Sequence, residues 1–135
     1  MRPVKKGNIW TAEKVWENPD VSMYMNSPVV AGDYVYGMSH KKRGQYFCLD
    51  ARTGATQWLS DGREGDNAAI VAGGAVLLLL NNESGLTIAR REPKALTVIR
   101  KYTVAESPTW AHPVVTGSGL LIKDLNSLSL LSWQP

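Results

Sequence analysis

The amino-acid sequence predicts an all-β fold, and three observations support this prediction. Twelve glycines and seven prolines are scattered over 135 residues, which indicates many short elements joined by turns. The apolar stretches are short, rich in valine, isoleucine, leucine and tyrosine, and end at glycine, aspartate or asparagine, as β-strands do. None of these stretches carries the long, capped apolar stripe that is typical of a surface helix. The third observation is an internal repeat.

The repeat is visible in two independent registers. Similar apolar strings end at Gly32, Gly73 and Gly117, which are 41 and 44 residues apart. A second series of β-prone stretches ends at the aromatic residues Trp16, Trp58 and Tyr102, at spacings of 42 and 44 residues. Periods of about 40–45 residues are typical of β-propeller blades and of helical repeats of the HEAT type. The short β-prone stretches favour blades.

The turn signals divide each repeat into four strands, A to D. The predicted strands of the first repeat are 28–31, 34–39, 45–50 and 55–58. Those of the second are 69–72, 76–80, 86–90 and 97–102, and the third has strands A to C at 113–116, 120–123 and 128–133. Residues 11–16 are predicted to form a lone outer strand, and residues 1–10 a disordered or extended arm. The whole chain, 1–135, is therefore predicted to be one partial β-propeller domain, with blades at about 18–58, 59–102 and 103–135.

The turn between strands C and D of the first repeat carries the most specific motif. The segment Cys48–Trp58 resembles the repeat of pyrroloquinoline-quinone-like propellers, roughly Ala-Leu-Asp-x-x-Thr-Gly-x-x-x-Trp. In that motif we expect Asp50 and Thr53 to cap the turn, Gly54 to adopt a left-handed conformation and Trp58 to dock between neighbouring blades. The likeness begins near Lys14 and extends to the C-terminus, so the chain resembles the C-terminal blades of a bacterial quinoprotein-like propeller.

The family name implies a quinone cofactor, but many members with this repeat bind none. The quinoprotein dehydrogenases also use a disulfide between adjacent cysteines, a calcium ion and a catalytic aspartate. Cys48 is the single cysteine of this chain, so that disulfide cannot form.

Neither His40 nor His112 lies in a Gly-x-Ser-x-Gly nucleophile elbow, and no metal-ligand spacing is recognisable. We therefore predict no catalytic residue, no metal and no cofactor. The alternative is a fragment of a quinoprotein or other propeller oxidoreductase whose catalytic parts lie outside this chain.

The bulk composition excludes other classes. The net charge of +3 and the pI near 9.1 are mild, so nucleic acid is not the expected partner. The longest apolar run, 75–80, is far shorter than the roughly 20 residues that span a bilayer, so no membrane span is predicted. Residues 1–7 carry positive charge but no apolar region follows them, so no secretory signal is predicted. Relatives are often periplasmic or exported, and the compartment stays undecided.

Topology predicts where a partner binds. In a four-stranded antiparallel blade, the D-to-A and B-to-C connections lie at one end, and propellers bind ligands there. The connections concerned are 24–27, 40–43, 66–67, 81–84, 110–112 and 124–126. Within them the candidate binding residues are Tyr24, Asn26, His40, Lys41, Lys42, Arg43, Asn67, Asn81, Trp110, His112 and Asn126. This mixture of aromatic, amide, cationic and imidazole groups favours a non-enzymatic scaffold that binds protein, peptide or a small ligand.

The blade count predicts a larger assembly. Propellers typically have 4–8 blades, so three blades do not close a ring. We expect either a homodimer that closes a six-bladed ring, in which the first strand of each chain completes the last blade of the other, or a chain that is part of a longer one.

Overall fold

The computed structural model describes residues 1–133 and confirms the all-β prediction, with thirteen strands in antiparallel sheets of two, four, four and three strands. The strands are β1 Arg2–Lys6, β2 Ile9–Glu13, β3 Val29–Ala31, β4 Tyr34–Ser39, β5 Gln45–Asp50, β6 Thr56–Leu59, β7 Ala68–Gly73, β8 Val76–Asn81, β9 Gly85–Arg90, β10 Val98–Thr103, β11 Val114–Val115, β12 Gly119–Lys123 and β13 Leu128–Ser132. A short 3-10 turn, Lys41–Arg43, joins β4 to β5. No helix in this part of the chain is long and apolar enough to cross a membrane.

Three of the sheets are meanders in which each strand pairs with the next along the chain. The first sheet has the order β3-β4-β5-β6, the second β7-β8-β9-β10 and the third β11-β12-β13. Gly32 and Gly74 begin the two-residue loops of the first hairpin in the first and second sheets, with φ values of 62° and 54°. Two-residue hairpin loops require such positive φ angles, which glycine adopts without a steric penalty. All eleven strands of these sheets lie close to the positions predicted from the repeat.

The three sheets form a row with a core on each side of the second sheet. Tyr36, Cys48 and Trp58 of the first sheet pack against Ile70, Leu77 and Leu79 of the second. Leu78, Leu80 and Leu86 of the second sheet pack against Leu120 and Ile122 of the third. Side chains alternate along a strand, so the odd-numbered and even-numbered leucines of β8 enter different cores. This explains why β8 is a continuous apolar run: both of its faces are buried.

The N-terminus differs from the prediction. The expected lone strand at 11–16 is instead β2, which ends at Glu13, and the expected arm at 1–10 contains β1. The two strands pair with each other, with Arg2 opposite Glu13 and Lys6 opposite Ile9. We call residues 2–13 the N-terminal hairpin.

Local chemistry accounts for this hairpin. Gly7, with a φ of 62°, begins the two-residue turn, and the pairing satisfies backbone groups that a lone strand would leave open. Across the strands, Arg2 forms an ion pair with Glu13 at 3.0 Å, and the ammonium of Lys5 lies 5.6 Å from the ring centre of Trp10. The repeat does not predict this hairpin, because its glycine-asparagine turn at 7–8 lies outside the repeat.

Candidate functional site

The motif turn between β5 and β6 is held by the carboxylate of Asp50. Its Oδ1 accepts hydrogen bonds from the backbone N–H of Arg52 at 3.0 Å, the backbone N–H of Thr53 at 2.7 Å and the Thr53 hydroxyl at 2.8 Å. These donors, the Thr53 hydroxyl first, lower the pKa of Asp50 below its ordinary value. Gly54 follows with a φ of 74° and donates its N–H to the Asp50 carbonyl at 2.8 Å. The motif therefore closes a turn in which Oδ1 of Asp50 is the shared acceptor.

Two tryptophans dock on the turns between the third and fourth strands of a sheet, Trp16 on the turn at 51–55 and Trp58 on the turn at 91–97. Trp58 of β6 is only 8% exposed, and its ring centre lies 6.1 Å from that of Tyr36. Trp16 lies against Gly54, so that a Cβ added to this glycine would come within 2.5 Å of the indole ring. Both tryptophans thus hold one part of the fold against the turn of the sheet that follows it.

The connections at one end of the sheets form a groove of two adjoining recesses, with volumes of about 200 and 440 Å³. We define the loop-face groove by the residues Tyr24, Met25, Asn26, His40, Asp66, Asn67, Trp110 and His112. Tyr24, Met25 and Trp110 line both recesses. The structure thus brings together six of the eleven candidate residues that the topology argument selected, from connections on all three sheets.

Large side chains are exposed around the groove. Tyr24 is 77% exposed, Met25 65% and Trp110 51%. A tyrosine or tryptophan combines a broad apolar surface with one polar group, and methionine adapts its shape to what it contacts. Three such side chains around one recess form a surface suited to contact with another molecule.

Hydrogen bonds between loops hold the groove in shape. The side-chain oxygen of Asn82 accepts the backbone N–H groups of Asp66 and Asn67, both at 3.0 Å. The amide of Asn67 in turn donates to the Met25 carbonyl at 3.2 Å. On the other side, the Thr109 hydroxyl donates to the Asn81 carbonyl at 2.6 Å, next to Trp110. The groove is therefore built on loops that are tied to one another.

One buried side-chain atom of the groove has no hydrogen-bond partner within residues 1–133. The Oδ1 of Asn26 is buried and accepts no hydrogen bond from any residue in 1–133. Asn26 lines the smaller recess together with Asn67 and His112. A buried acceptor without a donor costs free energy, and an N–H group from a bound molecule would remove that cost.

The cationic candidates lie beside the groove and not in it. Lys41 donates its ammonium to the Pro19 carbonyl at 2.6 Å, and Lys42 adopts a left-handed φ of 52° in the short 3-10 turn. Arg43 lines a neighbouring recess of about 160 Å³ with Arg63 and Glu83, and this recess shares Asp66 with the groove.

The two remaining candidates, Asn81 and Asn126, do not line the groove. The Asn81 side chain donates to the Glu64 carbonyl at 2.9 Å and accepts the Gly85 N–H at 2.7 Å. Asn126 lies in a turn where its own N–H donates to Asp124 Oδ1 at 2.9 Å.

Sequence reasoning did not single out two of the groove residues. Met25 and Asp66 lie inside the predicted connections 24–27 and 66–67, but neither residue type marked a site by itself. Their only signal was position, next to Tyr24 and Asn67. Among the residues that the structure describes, no three His, Cys, Asp or Glu side chains gather in a way that could hold a metal ion.

Comparison with known proteins gives the architecture. No family model matches the chain, and no curated protein matches it. Its structure is similar to the crystal structure of BamB from Moraxella catarrhalis, with a TM-score of 0.60 and 16% sequence identity over 80% of this chain. BamB is a β-propeller lipoprotein, and the likeness shows a β-propeller fold for this chain. The match covers 33% of the BamB chain, so the present chain corresponds to about a third of that propeller.

Proposed function

We propose that this chain is a non-enzymatic propeller scaffold that binds an extended segment of another protein in the loop-face groove. The observation that supports the proposal best is the cluster of Tyr24, Met25 and Trp110, exposed together around one recess. Tryptophan and tyrosine are enriched among the residues that dominate binding energy at protein interfaces. The volume of that recess, about 440 Å³, suits one or two side chains of a partner.

The polar groups of the groove support a peptide over a purely apolar ligand. The free Oδ1 of Asn26 fits a main-chain N–H, which an extended peptide offers at every residue except proline. The nearby carboxylate of Asp66 and the imidazoles of His40 and His112 supply further polar contacts at the rim. An apolar centre with a polar rim is the usual arrangement of a protein interface.

The propeller likeness supports the same proposal. One similar structure is that of BamB, a propeller lipoprotein, and a scaffold role in protein binding is consistent with that similarity. We also propose that the chain works within a larger assembly, made either with a second copy of itself or with further propeller blades.

Selection from a phage-displayed library of random peptides tests the groove. A selected peptide is synthesised with a fluorescent label, and its binding to the purified chain is measured by anisotropy. We expect Trp110→Ala and Tyr24→Ala each to weaken binding by about tenfold or more, the effect of losing an interface residue worth more than about 1.4 kcal/mol.

Tyr102→Ala is the matched control. Tyr102 is 48% exposed, comparable with Trp110, but it lies on β10 and outside the groove. Peptide binding that is unchanged in Trp110→Ala and Tyr24→Ala but lost in Tyr102→Ala would place the binding site outside the loop-face groove. That result would contradict the proposal. Recovery of no binding peptide from repeated selections would contradict it as well.

A further inference from the structure

The outer edge of the third sheet is open. In the first and second sheets the third strand is covered by an outer strand, β6 on β5 and β10 on β9. In the third sheet the corresponding strand is β13, and no strand within residues 1–133 pairs with its outer edge. Leu128 and Leu130 of β13 are 66% and 52% exposed. An unpaired edge with exposed apolar side chains is a template for pairing with another strand.

An apolar groove runs beside this edge. It has a volume of about 530 Å³ and lies between the second sheet, with Leu86 and Tyr102, and the third, with Leu120, Leu131 and Trp133. The face of the third sheet turned away from the second is also uncovered, because Val114, on the same cross-strand row as Leu130, is 55% exposed. The third sheet therefore has an open edge and an open face.

The N-terminal hairpin is the complementary feature of the chain. In the part of the chain that the structure describes, its two strands pair only with each other, and its apolar side chains Ile9 and Trp10 are 68% and 66% exposed. A two-stranded hairpin is at best marginally stable in water by itself, and it gains stability when it joins a larger sheet. It has two free edges with which to do so.

The position of Trp16 shows that the hairpin and the open edge lie at opposite ends of the row of sheets. Its indole Nε1 donates to the Ala51 carbonyl at 2.9 Å, so the segment after the hairpin packs on the first sheet. The first sheet packs on the second and the second on the third. The hairpin of one chain is thus placed to reach another copy, not its own β13.

We propose that the N-terminal hairpin of one copy pairs antiparallel with the open edge of β13 in a second copy, and that the exchange is reciprocal. The main-chain hydrogen bonds of the added strand supply affinity, and the exposed leucines of β13 face apolar side chains of the hairpin. Two copies place six blade sheets in one two-fold assembly, a number within the usual range of closed propellers. This inference does not depend on binding at the loop-face groove.

Light scattering coupled to size-exclusion chromatography measures the assembly. We expect a dimer for the full chain and a monomer, or at least a tenfold weaker dimer, for Leu130→Lys and for deletion of residues 1–13. Val98→Lys is the matched control, because Val98 is 42% exposed on β10, the outer strand of the second sheet. This control should remain a dimer. A folded monomer of the full chain, or a dimer that persists after the deletion, overturns the proposal.

Crosslinking tests whether the N-terminal hairpin of a second copy pairs with the open edge of β13. The native Cys48 is fully buried, so a cysteine introduced at an exposed position is the one that reacts. Purified Trp10→Cys and Leu130→Cys chains are mixed, equilibrated and treated with a short bis-maleimide. We expect a crosslinked dimer in the mixture and little in either variant alone. In a chain that carries both cysteines, a crosslink only within the monomer would show that the hairpin closes on its own β13 and would overturn the exchange.

Discussion

The indole Nε1 of Trp58 donates a hydrogen bond to the backbone oxygen of Glu92 at 3.0 Å, and this bond ties the outer strand of the first sheet to a turn of the second. Trp16 makes the same bond with the oxygen of Ala51 at 2.9 Å, one repeat earlier. The two donors are 42 residues apart and the two acceptors 41. The period seen in the sequence is therefore also the period at which a tryptophan docks on a turn of the sheet that follows it.

Removal of the Trp58 side chain should destabilise the protein strongly. We expect Trp58→Ala to lower the free energy of unfolding by about 3–5 kcal/mol, as for other buried aromatics, because it empties space beside Tyr36 and removes the bond to Glu92. Urea titration followed by circular dichroism measures the loss. Trp110→Ala is the control, since Trp110 is 51% exposed and its replacement should cost less than about 0.5 kcal/mol. A loss below about 1 kcal/mol for Trp58→Ala would show that it is not a docking residue.

The lowered pKa of Asp50 should make the motif turn sensitive to acid. Because its pKa is lower in the folded chain, the ionised carboxylate stabilises the fold at pH values above its ordinary pKa of 3.8, and this contribution disappears as the pH falls through the folded pKa. We expect Asp50→Ala to lower the urea midpoint at neutral pH and the gap from the wild type to narrow in acid. Thr53→Val, which removes one of the three donors to Oδ1, should show a smaller gap at neutral pH. A gap that is constant across the pH range would contradict the assignment.

Most strand positions could be predicted because two independent series of residues, the glycines and the aromatic residues, show the same repeat. The strings that end at Gly32 and Gly73 mark hairpin turns, and the apolar run of β8 follows from burial on both faces. The N-terminal hairpin lies outside the repeat, so the period could not place it and only the local turn at Gly7 could.

The sequence predicted which end of the sheets carries the candidate site. It did not predict which side chains line the groove there. Antiparallel topology alone places Tyr24, His40 and Trp110 at the same end of the sheets. Which side chains line the groove depends on bonds between loops, such as Asn67 to the Met25 carbonyl, that have no signature in the sequence. Asn81 was selected for the same face, yet its amide is used within the fold.

The alternative of a quinoprotein fragment has a direct test. We expect addition of pyrroloquinoline quinone with calcium to leave the melting temperature unchanged, because a ligand that does not bind the folded state cannot stabilise it. Differential scanning fluorimetry over a range of quinone concentrations measures this. A saturable upward shift, together with reduction of a dye in the presence of an alcohol or sugar, would favour the oxidoreductase alternative over the scaffold.

The contact between Gly54 and Trp16 predicts a coupling that a matched glycine lacks. Both Gly54 and Gly32 have positive φ, 74° and 62°, so replacement by alanine strains the backbone at either position, by about 1–2 kcal/mol. A Cβ at Gly32 meets nothing within 4 Å, whereas one at Gly54 meets the Trp16 indole at 2.5 Å. We therefore expect Gly54→Ala to lower the free energy of unfolding by about 1–3 kcal/mol more than Gly32→Ala does, the usual penalty of overpacking.

In the Trp16→Ala background the costs of the two glycine replacements should become similar, since the ring that the new methyl group contacts is gone. Urea titrations of the single and double variants form the double-mutant cycle that measures this coupling. Costs for Gly54→Ala that are equal with and without the indole would show that Trp16 does not pack on the motif turn.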